Sequence, residues 1–278
     1  MCSYAHERIW CYGAALIVIV LLAAGQKNPV EGWAVVLEVN DFPEGYEDLP
    51  VNFVDVQRMQ DMLEFHGWQR SHMIMGRDGI TPETVREGID FLKKNADSND
   101  IALFYIGSHA GYIRHELDWR NTFYPLWDDI ETEKRVLIVD SCFAGSFLPE
   151  SENPYIGIAS VSAEETAWAG VPEEGLPVIG FVFTYHFCES MKRDVSVEEG
   201  FQRTVPQVQE YMKEVVYPEF KDVYTPEQYY NLYNPHPVLL DQYPGYLYLE
   251  VDREAPVSVF LVFAGMLIAL LKKGKMTS

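Results

Sequence analysis

Two short segments hold the residue types that together can do nucleophilic chemistry. Cys142 stands in Asp140-Ser141-Cys142-Phe143-Ala144-Gly145-Ser146, and His109 in Gly107-Ser108-His109-Ala110-Gly111-Tyr112. A thiol attacks as its thiolate, and an imidazole, titrating near neutrality, is suited to take that proton and later hand it to a leaving group. Such a pair can form and break an acyl thioester without metal or cofactor. The small residues around His109 allow a substrate backbone to come close. The stretch around Cys142 reads as a strand-to-turn junction, where backbone N–H groups can face a developing oxyanion. His115, six residues beyond His109, is read as a surface-loop residue.

The other cysteines do not compete for this role. Cys2 and Cys11 fall in or before a hydrophobic N-terminal segment, and Cys188 lies in the apolar run Phe181 to Cys188, where a buried small hydrophobe is expected. Two body cysteines make no disulfide framework.

The elements that must position Cys142 and His109 are legible as periodic patterns. Trp33 to Val39, Ile101 to Ile106 and Val136 to Val139 are nearly unbroken apolar runs, as expected of strands covered on both faces, and Tyr155 to Val161 makes another. Ser71 to Met75 is a weaker strand. Asn52 to His66 carries Val56, Met59 and Leu63 at helical spacing; Thr81-Pro82-Glu83 opens a second helix with Val85, Ile89 and Leu92 on one face. Helices are also expected over Phe181 to Met191 and Val195 to Val216, the latter kinked or divided at Pro206. Between Tyr217 and Tyr248 loops should close the domain, ending in an edge strand near Tyr246 to Val251. The alternation predicts an α/β fold, a mainly parallel sheet with helices on both faces, whose ligands meet the carboxyl ends of the strands. His109 and Cys142 each follow such an end.

The two motifs resemble the His-Gly and Asp-x-Cys-x-x-Gly signatures of the superfamily of caspases, metacaspases, legumains and the glycosylphosphatidylinositol transamidase catalytic subunit. WAVVLEVND with Asp55 downstream looks like that fold's first strand and helix, VSAEETAW like the strand lining its first specificity pocket, and GFVFTYHF like a metacaspase helix. The likeness runs from about Trp33 to Val216. It implies a three-layer caspase-like fold and a cysteine endopeptidase: Cys142 as nucleophile, His109 as base, and the backbone N–H groups of Ala110 and Cys142 as the oxyanion hole. Ser108 and Ala110 replace the glycines usual on either side of the histidine. Asp48, Ser162 and Glu164 are the expected substrate-binding residues, and the two acids imply cleavage after Arg or Lys. A transamidase-like enzyme sharing the same acyl-enzyme and an inactive caspase-like binding module remain as alternatives.

Composition narrows the partners. Apolar residues at 48% and aromatics at 14% exclude a disordered chain. Forty-two acids against 21 bases, a net charge of −21 over 278 residues, exclude a phosphate backbone as partner and leave peptide or protein. At the ends, residues 1–25 read as a signal peptide or signal anchor and 255–272 as a transmembrane helix, flanking a domain over 30–254. Lys272, Lys273 and Lys275 mark the tail, 273–278, as cytoplasmic. A membrane-bound protein with its domain on the extracytoplasmic side is the expectation.

Overall fold

A computed structural model describes residues 29–49, 51–222 and 233–251. The expected terminal segments, 1–25 and 255–272, and the tail 273–278 lie outside the described residues. Among the described residues no helix is long and apolar enough to cross a membrane.

The apolar runs fold as strands: β1 (Gly32–Glu38), β2 (Met73–Arg77), β3 (Ile101–Gly107), β4 (Arg135–Asp140) and β5 (Ile156–Ala159). With β8 (Val238–Asp241) they form one sheet in the order β2-β1-β3-β4-β5-β8, parallel except for β8. Every residue of β3 and β4 is buried, which is why these strands read as continuous rather than alternating runs. Their side chains divide between two cores. Leu103, Tyr105, Val136 and Ile138 face α1 (Val54–Phe65) and the later helices; Phe104, Ile106, Leu137 and Val139 face α2 (Pro82–Asn95). The expected start of α2 holds: Thr81 caps it and Pro82 occupies its first turn.

Three local features go beyond the expectation or differ from it. The segment between Gly111 and Lys134, given no element above, carries a π-helical turn (Tyr112–Glu116) and two short helices, α3 (Trp119–Thr122) and α4 (Tyr124–Trp127). Trp119, Phe123 and Trp127 stack in succession, with centroids 4.0 and 5.1 Å apart, and fill the α2 side of the core. Next, after the short β6 (Ala169–Gly170) and β7 (Gly180–Phe181), α5 (Val182–Ser190) leads to α6 (Val197–Tyr211), which runs through Pro206 undivided. Pro206 and Gln202, whose carbonyl loses its partner, both lie on the exposed side of α6, where water can replace the missing N–H. The helix continues as a π-turn (Met212–Val216) and α7 (Tyr217–Phe220).

Third, the edge strand is Val238–Asp241, antiparallel to β5, and not Tyr246 to Val251. The period-two pattern of the latter segment is real, since Leu247 and Leu249 are buried while Tyr246 and Tyr248 are exposed. Its backbone is satisfied by the helical layer instead. Val197 N donates to Leu247 O, Leu247 N to the Glu198 carboxylate, the Trp68 indole to Leu249 O and Val251 N to His66 O. This brings Val251 beside Val30, and both line one cavity of about 560 Å³ at the N-terminal edge of the sheet, with Trp68 and His72.

Candidate active site

The opposite edge of the sheet carries the candidate residues. In the parallel pairing of β3 and β4, Gly107 stands opposite Asp140, and Ser108 N extends the ladder to Asp140 O at 3.2 Å. His109 and Cys142 each come two residues beyond that matched pair. The two therefore leave neighbouring strands at one level and at one edge.

Beyond His109 the chain turns at once into a helical segment, with Ile113 N bonded to His109 O. Ala110 opens that segment, and it is not among the residues with positive φ, so alanine in place of glycine carries no left-handed strain. An N–H in a first helical turn has no intrahelical partner, so the Ala110 N–H is not consumed by the segment it opens. Ser108 is buried, its hydroxyl without a partner.

The imidazole is oriented by a residue the sequence does not flag. His109 Nε2 lies 2.8 Å from the carbonyl oxygen of Glu47, and its ring packs on Phe42 and Tyr46, with centroids 4.7 and 6.5 Å away. A carbonyl only accepts, so Nε2 carries the proton and Nδ1 is the basic nitrogen. The loop that presents Glu47 is closed on itself: Phe42 N donates to Asp48 Oδ1 at 2.9 Å and Leu49 N to Asn40 O at 2.8 Å. Asp48 is exposed and serves this loop, one residue from the carbonyl that holds His109.

Cys142 is half-buried, with Sγ 3.9 Å from the carbonyl oxygen of Ala167. Burial pushes its thiol above the ordinary value, and the charge of Asp140 adds to the effect. The resting sulfur is a neutral thiol, so attack needs a proton acceptor. The next residue, Phe143, has φ 57°, a left-handed conformation that costs about 1–3 kcal/mol in a non-glycine residue. Three bonds hold it there, Phe143 N to Glu165 O at 2.6 Å, and Ser146 N and Ser146 Oγ to Phe143 O at 2.9 and 2.7 Å. A Cβ at Gly145 would come within 2.8 Å of Ala163 N, so the motif glycine is fixed by the close approach of the 162–163 backbone.

That neighbouring segment contains two of the expected substrate-binding residues and a buried acid the sequence does not single out. Ser162 is half-buried and Glu164 exposed. Glu165 is the buried acid of the pair: its Oε2 accepts from Ser162 N and His236 N, and its Oε1 stands 2.5 Å from His236 Nδ1. Burial pushes its carboxyl up, but the bonds from His236 and Ser162 win and hold it below its ordinary value. Glu165 thus ties the Cys142 turn, the Ser162 backbone and the approach to β8 into one unit. Asp48 stays in the loop that holds His109, while Ser162 lies against Gly145 of the Cys142 turn and Glu164 N donates to Ser162 Oγ at 3.4 Å.

Beneath the site lies a set of buried acids. Asp140 Oδ2 accepts from Thr184 N at 3.1 Å and Thr184 Oγ1 at 2.7 Å, whereas Oδ1 has no well-formed bond; the Ser160 hydroxyl, 3.4 Å from Ser141 O, is the nearby group that can turn to the carboxylate and favour its charged form. Burial raises this carboxyl to about 7. Asp55 binds Arg58 and Phe181 N, and Glu38 accepts from Val56 N; burial raises them to about 6 and about 8. The GFVFTYHF segment is thereby explained, since Phe181 and Thr184 are the donors that anchor Asp55 and Asp140. Asp140 also lines a narrow recess of about 10 Å³ with Ala167 and Val182, beside Cys142. No group of His, Cys, Asp and Glu among the described residues is arranged to hold a metal ion.

A model of the caspase domain matches residues 31–230, most of the chain. The chain belongs to the caspase-domain family. Its sheet of five parallel strands and one antiparallel edge, helices on both faces, is the caspase-like α/β fold. Membership brings with it cysteine peptidase chemistry on protein or peptide substrates as the family's general activity. No curated protein matches the chain.

Proposed function

We propose that this caspase-domain protein is a cysteine endopeptidase in which Cys142 is the nucleophile and His109 the general base. The observation that carries the reading is the matched register of Gly107 and Asp140, which gives His109 and Cys142 equal reach beyond adjacent strands. The Glu47 carbonyl supports it by leaving Nδ1 of His109 as the basic nitrogen. In the first half-reaction the thiol proton passes to Nδ1, the thiolate attacks the scissile carbonyl, and the N–H groups of Ala110 and Cys142 face the oxyanion. The imidazolium then protonates the leaving amine, yielding a thioester. In the second half, water gives a proton to His109 and attacks the thioester, releasing the acid and restoring the thiol.

A cationic side chain before the scissile bond is proposed as well, and its best support is Asp140. This acid has an oxygen without a donor in a recess next to the nucleophile, which a guanidinium or ammonium would satisfy. The recess is closed to about the size of one water, so its occupation requires residues 166–168 to move aside. From the sequence of the chain ends we further propose that the domain is membrane-anchored and extracytoplasmic.

Acyloxymethyl ketone probes bearing Arg, Asn or Asp test the reading. Covalent labelling of Cys142, strongest with the Arg probe and absent from Cys142→Ala, is expected. A folded chain that no probe labels would point to the inactive binding module.

A further inference from the structure

The chain after His109 and the chain after Cys142 converge again away from the catalytic pair. They enclose a cavity of about 540 Å³, lined by Arg114, Arg120 and Tyr124 from the first and by Ser146, Phe147 and Glu150 from the second. Hydrogen bonds stitch the walls together: Trp119 Nε1 to Phe147 O at 3.0 Å, Tyr124 OH to Ser146 O at 3.3 Å and Arg114 Nη2 to Ser146 Oγ at 3.4 Å. The Arg114 guanidinium lies over the Phe147 ring, 5.6 Å from its centroid. Ser146 in turn bonds Phe143, the neighbour of Cys142. The cavity is thus built into the same turn that presents the nucleophile.

Its charge runs against that of the molecule. In a chain of net charge −21, Arg58, Arg86 and Arg135 find carboxylate partners, while Arg70, Arg77, Arg193 and Arg203 are scattered singly without an ion pair among the described residues. Arg114 and Arg120 line one wall and, among the described residues, neither is ion-paired; Glu150 is the single acid on the lining. Two guanidinium groups with free donors, one of them already fixed over an aromatic ring, suit a carboxylate far better than an apolar or cationic group.

We propose that this cleft is a subsite for an acidic side chain of the peptide substrate, whose carboxylate Arg114 and Arg120 hold while another part of the same peptide lies across Cys142. The assignment rests on the peptidase reading for the identity of the ligand as substrate, and it makes the specificity bipolar, with a cation at the scissile bond and an anion beyond it.

The test is binding, so that it does not depend on turnover. The full chain carrying Cys142→Ala is titrated, by fluorescence anisotropy, with labelled peptides through which a single glutamate is walked one position at a time, against peptides with alanine or lysine there. Glutamate at one position is expected to tighten binding by roughly tenfold, as a charge-assisted hydrogen bond can. Arg114→Ala with Arg120→Ala should abolish that gain while leaving the alanine peptide within about twofold. Arg120→Glu should turn the preference toward lysine. Equal affinity for glutamate and alanine peptides at every position, no binding at all, or a loss on arginine removal that is the same for both peptides would each overturn the proposal. Probe labelling of wild-type Cys142 is scored separately. An unlabelled Cys142 with intact, arginine-dependent binding of acidic peptides sinks the peptidase reading and upholds the cleft.

Discussion

Two buried aspartates at opposite ends of the central strands make an instructive pair. Asp100, just before β3, is 3% exposed and fully used: Oδ1 accepts from Glu31 N, Oδ2 from Asp97 N and the Trp33 indole. Asp140, the last residue of β4, is 1% exposed and half used, with both of its donors on Oδ2 and none on Oδ1. The same side chain closes a structure at one edge and leaves a valence open at the other. A satisfied buried carboxylate is part of the framework, and an unsatisfied one beside the proposed nucleophile is what the proposed cation site would need.

The comparison can be broken first at Cys142. Cys142→Ala should lower peptide hydrolysis by about 10⁴-fold, while its thermal unfolding midpoint stays close to that of the parent, because a half-buried thiol leaves only a small void. A large loss of stability would mean that the thiol belongs to the framework. The converse experiment is Asp100→Ala. Three donors would lose their acceptor in a buried site, costing about 3–5 kcal/mol in denaturant unfolding, and the molecules that remain folded should keep their kcat.

A finer cut is Asp140→Asn. For substrates with Arg or Lys before the scissile bond, kcat/KM should fall by roughly 10-fold or more, with little change for neutral substrates. Stability above neutral pH should rise slightly, because no charge then has to be buried. If cationic and neutral substrates lose equally, Asp140 is a second Asp100.

The smallest effect is a pH trend. Glu38, Asp55 and Asp140 are raised by burial to about 8, 6 and 7 from ordinary values of 4.5, 3.8 and 3.8. Each keeps a proton in the folded chain over a range where the unfolded chain has lost it. The stability they contribute is complete below the unfolded values and drains away as pH climbs through 6 to 8. Scanning calorimetry should show the midpoint falling between about pH 5 and about pH 8.5, and falling less in Asp140→Asn.

Much of the fold was written plainly in the residues. The doubly covered strands show as unbroken apolar runs, and the Thr81-Pro82-Glu83 start of α2 is a local signal that tertiary packing did not override. The stack of Trp119, Phe123 and Trp127, spaced four apart, was a readable signal that went unread, because Asp118 at φ 44° and Pro125 chop the segment into pieces too short to show a helical period. Tyr246 to Val251 has a strand's alternation, but a pattern states which side chains are buried and not which backbone will pair with them.

For the candidate site, the types and spacing of His109 and Cys142 were legible, and their common edge followed from parallel strands. The Glu47 carbonyl was not, since a backbone oxygen leaves no mark on residue type. Nor does sequence decide between Glu164 and Glu165, adjacent and identical. The turn after Ser162 alone determines which of them is drawn inward to His236.

One last consequence lies at the far rim. Val30 and Val251 line a single cavity on the edge where the strands begin, while Cys142 lies where they finish, seven residues or about 23 Å away along a strand. The membrane anchoring proposed above would suspend the domain by this base, with the candidate cleft pointing outward. Scissile bonds close to the plane of attachment would then be beyond its grasp, and long flexible segments reaching up from a neighbour, or chains arriving from solution, would be its natural prey.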